Sequence, residues 1–269
     1  MKILLTERHV SEETPIKLVD AGFEVFSPKE EIPGVHEFDR SALIQTVKNV
    51  QPDILLTGFK FQIDEEILSL APIKAVATRT TGLDHLDLDY CKEKGIEVLS
   101  LRGEDLSDIT ATAEWTFLNM GMLLRKTGHE LQGKTLGIIG YGRIGKLLHQ
   151  YANAFKMRVI AADKGQGLDY LLKESDIVSL HITADEENRN FMDGDKFELM
   201  KNGSWFLNSS RDWLVKATSL EWALRKGKLA GAWSDFPEHQ GGKTIESLVK
   251  TEEFIAEKLV KHLNDKNRS

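Results

Sequence analysis

The sequence predicts an α/β protein built from two doubly wound parallel-sheet units joined by helices. Three observations lead there. Short β-rich runs alternate with helical runs twice along the 269 residues, and such alternation makes a parallel sheet with helices on both faces. A glycine-punctuated turn, Gly140-Tyr141-Gly142-Arg143-Ile144-Gly145, separates an apolar strand from an apolar-periodic helix. Finally, a hydrophobic content of 41% gives a chain of this length enough material for one or two domain cores.

In chain order, the first series predicts strands at 2–6, 23–27, 53–57, 73–78 and 96–101. Among its helices, Thr14 is the expected N-cap of one that has Pro15 in its first position and Gly22 beyond its end. Asp87 and Gly95 bracket another at 88–94. A long helix at about 108–124 leads to a second series, with strands at 135–139, 158–162, 176–180, 204–207 and 229–233. The chain closes with an amphipathic helix at about 243–263, whose Ile245, Leu248, Ile255 and Leu259 share one stripe. A cleft between two such units is the expected ligand site.

The glycine run fits a dinucleotide-binding fingerprint. The first glycine allows a tight turn, the second lets backbone amides approach a pyrophosphate, and the third lets the helix pack on the strand. The helix N-terminus adds unpaired N–H groups and partial positive charge. Asp163 follows after one helix and one strand, where a carboxylate binds the adenosine ribose hydroxyls and repels a 2′-phosphate. NAD is therefore expected over NADP, with Lys164 the one cation nearby that could meet a 2′-phosphate. Gly140, Gly142, Arg143, Ile144, Gly145 and Asp163 are the cofactor-binding residues expected from this segment.

A formal net charge of −7 argues against a nucleic-acid or anionic-membrane surface and for a small-molecule partner. The N-terminus turns charged at Glu7 and Arg8, too soon for a signal peptide, and no apolar run approaches membrane-spanning length. The single cysteine, Cys91, excludes an internal disulfide and a multi-cysteine zinc site, and it reads as a half-buried structural thiol. No metal is expected, and the expected compartment is the cytoplasm.

Four further segments follow in order, at Thr80 to Asp87, Asp176 to Thr183, Met200 to Arg211 and Gly231 to Gly242, and together they resemble the D-isomer-specific 2-hydroxyacid dehydrogenases, the family that includes phosphoglycerate and D-lactate dehydrogenases. Thr80-Thr81-Gly82-Leu83-Asp84-His85-Leu86-Asp87 looks like the family's substrate loop, which implies that Thr81 and Gly82 hold the substrate carboxylate, with His85 a loop residue. Asp176-Ile177-Val178-Ser179-Leu180-His181-Ile182-Thr183 resembles the strand flanking the cofactor riboses. There Thr183 replaces a proline and Asn188 a threonine, so His181, Thr183 and Asn188 are expected beside the cofactor. The run from Met200 through Asn208-Ser209-Ser210-Arg211 implies a catalytic Arg211, with Asn208, Ser209 and Ser210 at the cofactor. A planar guanidinium suits that role, since it binds a carboxylate or keto oxygen through two donors and stays charged. Asp212 stands where the family has glycine, a position suited to a left-handed turn, and Trp213 stands where it is usually small.

The fourth segment, Gly231 to Gly242, compresses two landmarks of the resembling family. Asp235 matches its strand-end aspartate facing the nicotinamide carboxamide, and His239, ahead of Gly241-Gly242, matches its catalytic histidine. The intervening loop, which carries the acidic partner of that histidine, is nearly absent. Glu238 is the nearest carboxylate in sequence, with Asp212 the alternative. The family's long dimerisation arm is also shortened, between Arg125 and Gly133, while Ala113-Glu114-Trp115 matches an Ala-Glu-His on the connecting helix.

The resemblance implies a flavodoxin-like substrate domain at 1–101 completed by the helix at 243–269, and a Rossmann NAD-binding domain at 102–242. It implies an NAD-dependent oxidoreductase of a small D-2-hydroxy or 2-keto acid, in which hydride transfer is served by Arg211 as substrate anchor and by His239 as acid and base. The alternative is a non-catalytic NAD(H)-binding or redox-sensing protein on the same scaffold. A methyltransferase would share the glycine fingerprint but would not need the Arg211 and His239 segments. A homodimer is compatible with the family, without its usual arm.

Overall fold

The computed structural model describes residues 1–8, 10–28, 38–163, 165, 167–236 and 239–266. The first part of the chain carries β1 (Lys2–Leu5), α1 (Glu13–Asp20), β2 (Glu24–Phe26), α2 (Arg40–Val50), β3 (Ile54–Thr57), α3 (Glu65–Leu68), β4 (Ala75–Thr78), α4 (Leu88–Lys94) and β5 (Glu97–Leu99). There follow α5 (Ala111–Lys126), β6 (Thr135–Ile139), α6 (Arg143–Ala154), β7 (Arg158–Ala162), α7 (Leu168–Glu174), β8 (Ile177–Leu180), α8 (Gly194–Leu199), β9 (Ser204–Asn208), α9 (Ala217–Arg225), β10 (Leu229–Ser234) and α10 (Ile245–Lys266). Two compact units result: Met1–Asp105 with Ile245–Ser269, and Leu106–Thr244.

The first unit holds a parallel sheet of order β2-β1-β3-β4-β5. Its central strands are buried on both faces, which is why they read as unbroken apolar runs such as Ile54-Leu55-Leu56. Aspartates start its helices: the Asp39, Asp64 and Asp87 carboxylates accept N–H bonds from Ala42, Ile67 and Tyr90 at 2.9, 3.3 and 2.9 Å. Gly95 closes α4 with φ +67°, as its position implied. Thr14, however, is not a cap. It is buried inside α1, and the Ser11 hydroxyl accepts the Glu13 N–H instead. Cys91 is buried more deeply than expected, at 2% exposure, and burial raises its thiol pKa above the ordinary value.

Helix α10 packs on this unit through Ser247, Glu252, Ile255, Ala256 and Leu259; the expected member Ile245 is instead exposed at the helix start. Glu252 accepts the Val10 and Ser11 N–H groups and lies 3.4 Å from the Arg79 guanidinium, which also binds Glu7 at 2.8 Å. Glu7 in turn accepts the Gly58 and Lys60 N–H groups. Buried charges need this kind of pairing. Gly58 leaves room for this pair, since a Cβ there would come within 2.7 Å of Arg79 Nε.

The second unit holds a parallel sheet of order β10-β9-β8-β6-β7. From β7 the chain crosses over β6 to β8, which makes the β6/β8 boundary a topological switch point, where α/β sheets bind ligands beyond the strand ends. The strands end in register: Ile139 pairs with Ala162 and Leu180, Leu180 with Asn208, and Asn208 with Ser234. Successive side chains of β9 face opposite sides. Trp205 and Leu207 join the cluster under α5 and α6, while Phe206 meets Phe197 edge-on at 5.3 Å on the other face.

Among the described residues, no helix is long and apolar enough to cross a membrane, and no group of three His, Cys, Asp or Glu could hold a metal ion.

Candidate active site

The shared register of the second sheet sets one residue beyond each strand in a row: Gly140, Asp163, His181, Ser209 and Asp235. All five are residues the sequence singled out. The glycines divide their work as the fingerprint requires. Gly140 has φ +95°, and a Cβ on it would meet the His181 carbonyl at 2.7 Å. Gly145 packs α6 onto β6, where a Cβ would come within 2.4 Å of the Gly140 oxygen. Gly142 has open space at that position and forms the N-cap of α6. The first-turn amides of α6 have no intrahelical acceptor and carry the positive end of the helix dipole, which suits a pyrophosphate. Asp163 is exposed and accepts the Tyr141 N–H at 2.9 Å, fastening the end of β7 to the glycine loop. An open glycine, a helix N-terminus and an exposed carboxylate at the next strand end are the features a dinucleotide needs.

Other predicted residues build the loops around this edge. The Arg143 guanidinium binds the Ile109 carbonyl, and burial lowers its pKa despite the attraction of Asp108. Ile144 is half-buried. The His181 ring nitrogens face two hydroxyls, Ser179 at 2.8 Å and Ser209 at 3.0 Å, and burial pushes its pKa down to about 4. Asn188 turns inward, 3% exposed, and its amide holds the carbonyl of the exposed Thr183. Asn208 folds the arginine loop by accepting the Ser210 N–H and donating to the Arg211 carbonyl, while the Ser210 hydroxyl donates to Ile182. Asp212 is not left-handed: it opens a 3₁₀ turn, Asp212–Leu214, and accepts the Trp213 N–H. Trp213 joins the core, with the Arg189 guanidinium over its ring.

Beyond β10, Asp235 and His239 are brought together. His239 donates its N–H to the Asp235 carbonyl at 2.6 Å and adopts φ +44°. His239 Nδ1 lies 3.3 Å from Asp235 Oδ2. Asp235, 3% exposed, also accepts the Trp115 indole N–H at 2.8 Å and the Gln240 and Gly241 N–H groups at 3.0 Å. Burial alone would raise its pKa, but the bonds from His239, Gly241 and Trp115 outweigh it and hold the carboxyl below the ordinary value. Phe236 stacks on His239 at 4.7 Å and carries the Arg211 guanidinium 5.5 Å from its ring centre. Glu238 lies outside the described residues. Phe236, Trp115 and the pairing of Asp235 with His239 were missed from sequence; the available signal was the four-residue spacing from Asp235 to His239.

In the first unit, Thr81 is exposed and Gly82 half-buried, and the Thr80 hydroxyl holds the Gly82 carbonyl at 2.7 Å. His85 is buried against Thr78 and Phe59, in keeping with a structural role.

Residues 104–258 match the family model described as D-isomer specific 2-hydroxyacid dehydrogenase, NAD binding domain. The chain belongs to this family. It is an NAD-dependent D-2-hydroxyacid dehydrogenase, and NAD is its cofactor. It is 32% identical over 238 residues to a glyoxylate reductase of Thermococcus litoralis, covering 75% of this chain and 71% of that one. A (S)-sulfolactate dehydrogenase of Chromohalobacter salexigens is 30% identical over 251 residues, covering 81% and 80%. In fold, the chain is similar to NAD⁺-bound 3-phosphoglycerate dehydrogenase of Entamoeba histolytica, with a TM-score of 0.83 at 20% identity over 98% of this chain and 95% of that one.

Proposed function

We propose that this dehydrogenase reduces a small, unphosphorylated 2-keto acid of the glyoxylate class to its D-2-hydroxy acid, with Arg211 and His239 as the catalytic residues. The supporting observation is that both side chains lie against one ring, Phe236, beyond the strand ends that also carry the glycine loop. Arg211 binds the carboxylate and polarises the keto oxygen through its paired N–H donors. His239 donates a proton to that oxygen during reduction and takes it back during oxidation. Gly140, Gly142, Arg143, Ile144 and Gly145 would hold the pyrophosphate side of NAD and Asp163 its ribose, with Thr183, Ser209 and Ser210 on neighbouring loops. When bound, the cofactor supplies the hydride for C2 in reduction and accepts it in oxidation. The backbone amides of Thr81 and Gly82 are further proposed donors to the substrate carboxylate.

The substrate class draws on two supports. The Thermococcus litoralis relative is named for glyoxylate. In addition Arg79, next to the Thr80 to Asp87 loop, is engaged by Glu7 and Glu252, so a substrate phosphate there would have to displace two carboxylates. Arg211→Ala and His239→Ala test the catalytic assignment. Each should lower turnover by roughly 10²-fold or more, since a positioned acid or base contributes about 10²–10⁴, while NADH affinity changes little. A His239→Ala enzyme with wild-type turnover would remove the histidine from the reaction.

A further inference from the structure

We propose that Asp235 is the positioning residue of His239, taking over in this shortened loop the work of a carboxylate from a longer one. The inference rests on the reading of His239 as acid and base, and two observations carry it. First, the turn from Asp235 to His239 is closed by its own backbone hydrogen bond and brings Nδ1 to 3.3 Å from Oδ2. A histidine whose Nδ1 faces a carboxylate at this distance favours the tautomer with the proton on Nδ1 and the lone pair on Nε2. Second, the carboxylate is held in place from several sides. Oδ1 accepts from Trp115 and Gln240 and Oδ2 from Gly241, with the imidazole Nδ1 3.3 Å away. These three bonds fix its position beside the imidazole.

The surroundings are built around this pairing. Trp115, on α5, reaches Asp235 from outside the loop and fixes the carboxylate's rotation. Gly241 lets the backbone approach it, since a Cβ there would already lie 3.0 Å from Oδ2 and 3.4 Å from the Trp115 ring. Among the described residues, Arg211 lies across Phe236 from the imidazole.

The test reads the tautomer of His239 in ¹⁵N-histidine-labelled protein without substrate, at a pH where the ring is neutral, with the signal assigned by its loss in His239→Ala. The expected result is a protonated Nδ1 and a bare Nε2. Asp235→Asn should shift that tautomer, lower kcat for keto-acid reduction by about 10²-fold, and leave the NADH dissociation constant within about twofold. A wild-type Nε2–H tautomer would overturn the proposal, and it decides the matter even if Asp235→Asn fails to fold. So would Asp235→Asn with unchanged tautomer and kcat, or Glu238→Gln that shifts the tautomer and lowers kcat while Asp235→Asn is inert. A wild-type protein that reduces no 2-keto acid would refute the catalytic reading alone, because the tautomer is measured without turnover.

Discussion

His181 sits with both ring nitrogens against serine hydroxyls, at the strand end next to the glycine loop. Burial holds its pKa at about 4, below the unfolded value near 6.5. Between those values the unfolded chain binds a proton that the folded one does not, so the stability present above pH 6.5 falls as pH drops toward 4. From pH 7 to pH 5 the loss is at most about 2 kcal/mol from this residue. Urea unfolding at the two pH values should show His181→Gln losing less stability than wild type over that interval; equal losses would mean that the ring titrates normally. At this scale the sequence was informative where a residue type answers one physical demand, as with Asp163 at a strand end. It was less so at His239. There the search for a carboxylate looked to the adjacent Glu238 and to Asp212, whereas the turn delivers the side chain four positions back.

The turn from β6 into α6 separates glycines that serve the fold from Gly142, proposed to serve the cofactor. Gly145→Ala would press a Cβ into the Gly140 carbonyl and should cost about 1–3 kcal/mol, as overpacking does. Gly142→Ala has room and an ordinary φ of −78°, so it should fold with wild-type stability yet bind NADH more weakly, because the methyl stands where the phosphates approach. Thermal unfolding with NADH titration checks both, and equal NADH affinity in Gly142→Ala would move the phosphates away from this residue. Elements of this kind were legible because period and turn chemistry agree: β6 and β7 have the bounds their apolar runs imply. Helix starts were not, because several capping residues compete locally. α1 starts after Glu12 without a side-chain cap, and α5 begins at Ala111 rather than near Asp108.

For the molecule as a whole, residues 127–134 join α5 to β6 where the family's arm would be. Without it, association is predicted to be weak: sedimentation coefficients should rise with concentration, and a dimer that survives dilution would show that another surface suffices. The exposed Leu118, Met122 and Phe155 mark where such a surface would be sought first. In the proposed reaction, this dehydrogenase uses NADH to reduce a small 2-keto acid through Arg211 and His239. The most direct test is the initial rate of NADH oxidation, with NADPH alongside, across glyoxylate, pyruvate, hydroxypyruvate and their larger or phosphorylated analogues. The predicted result is saturable oxidation of NADH in preference to NADPH, fastest with a small unphosphorylated acid. Tight NADH binding with no oxidation by any member of the panel would contradict it.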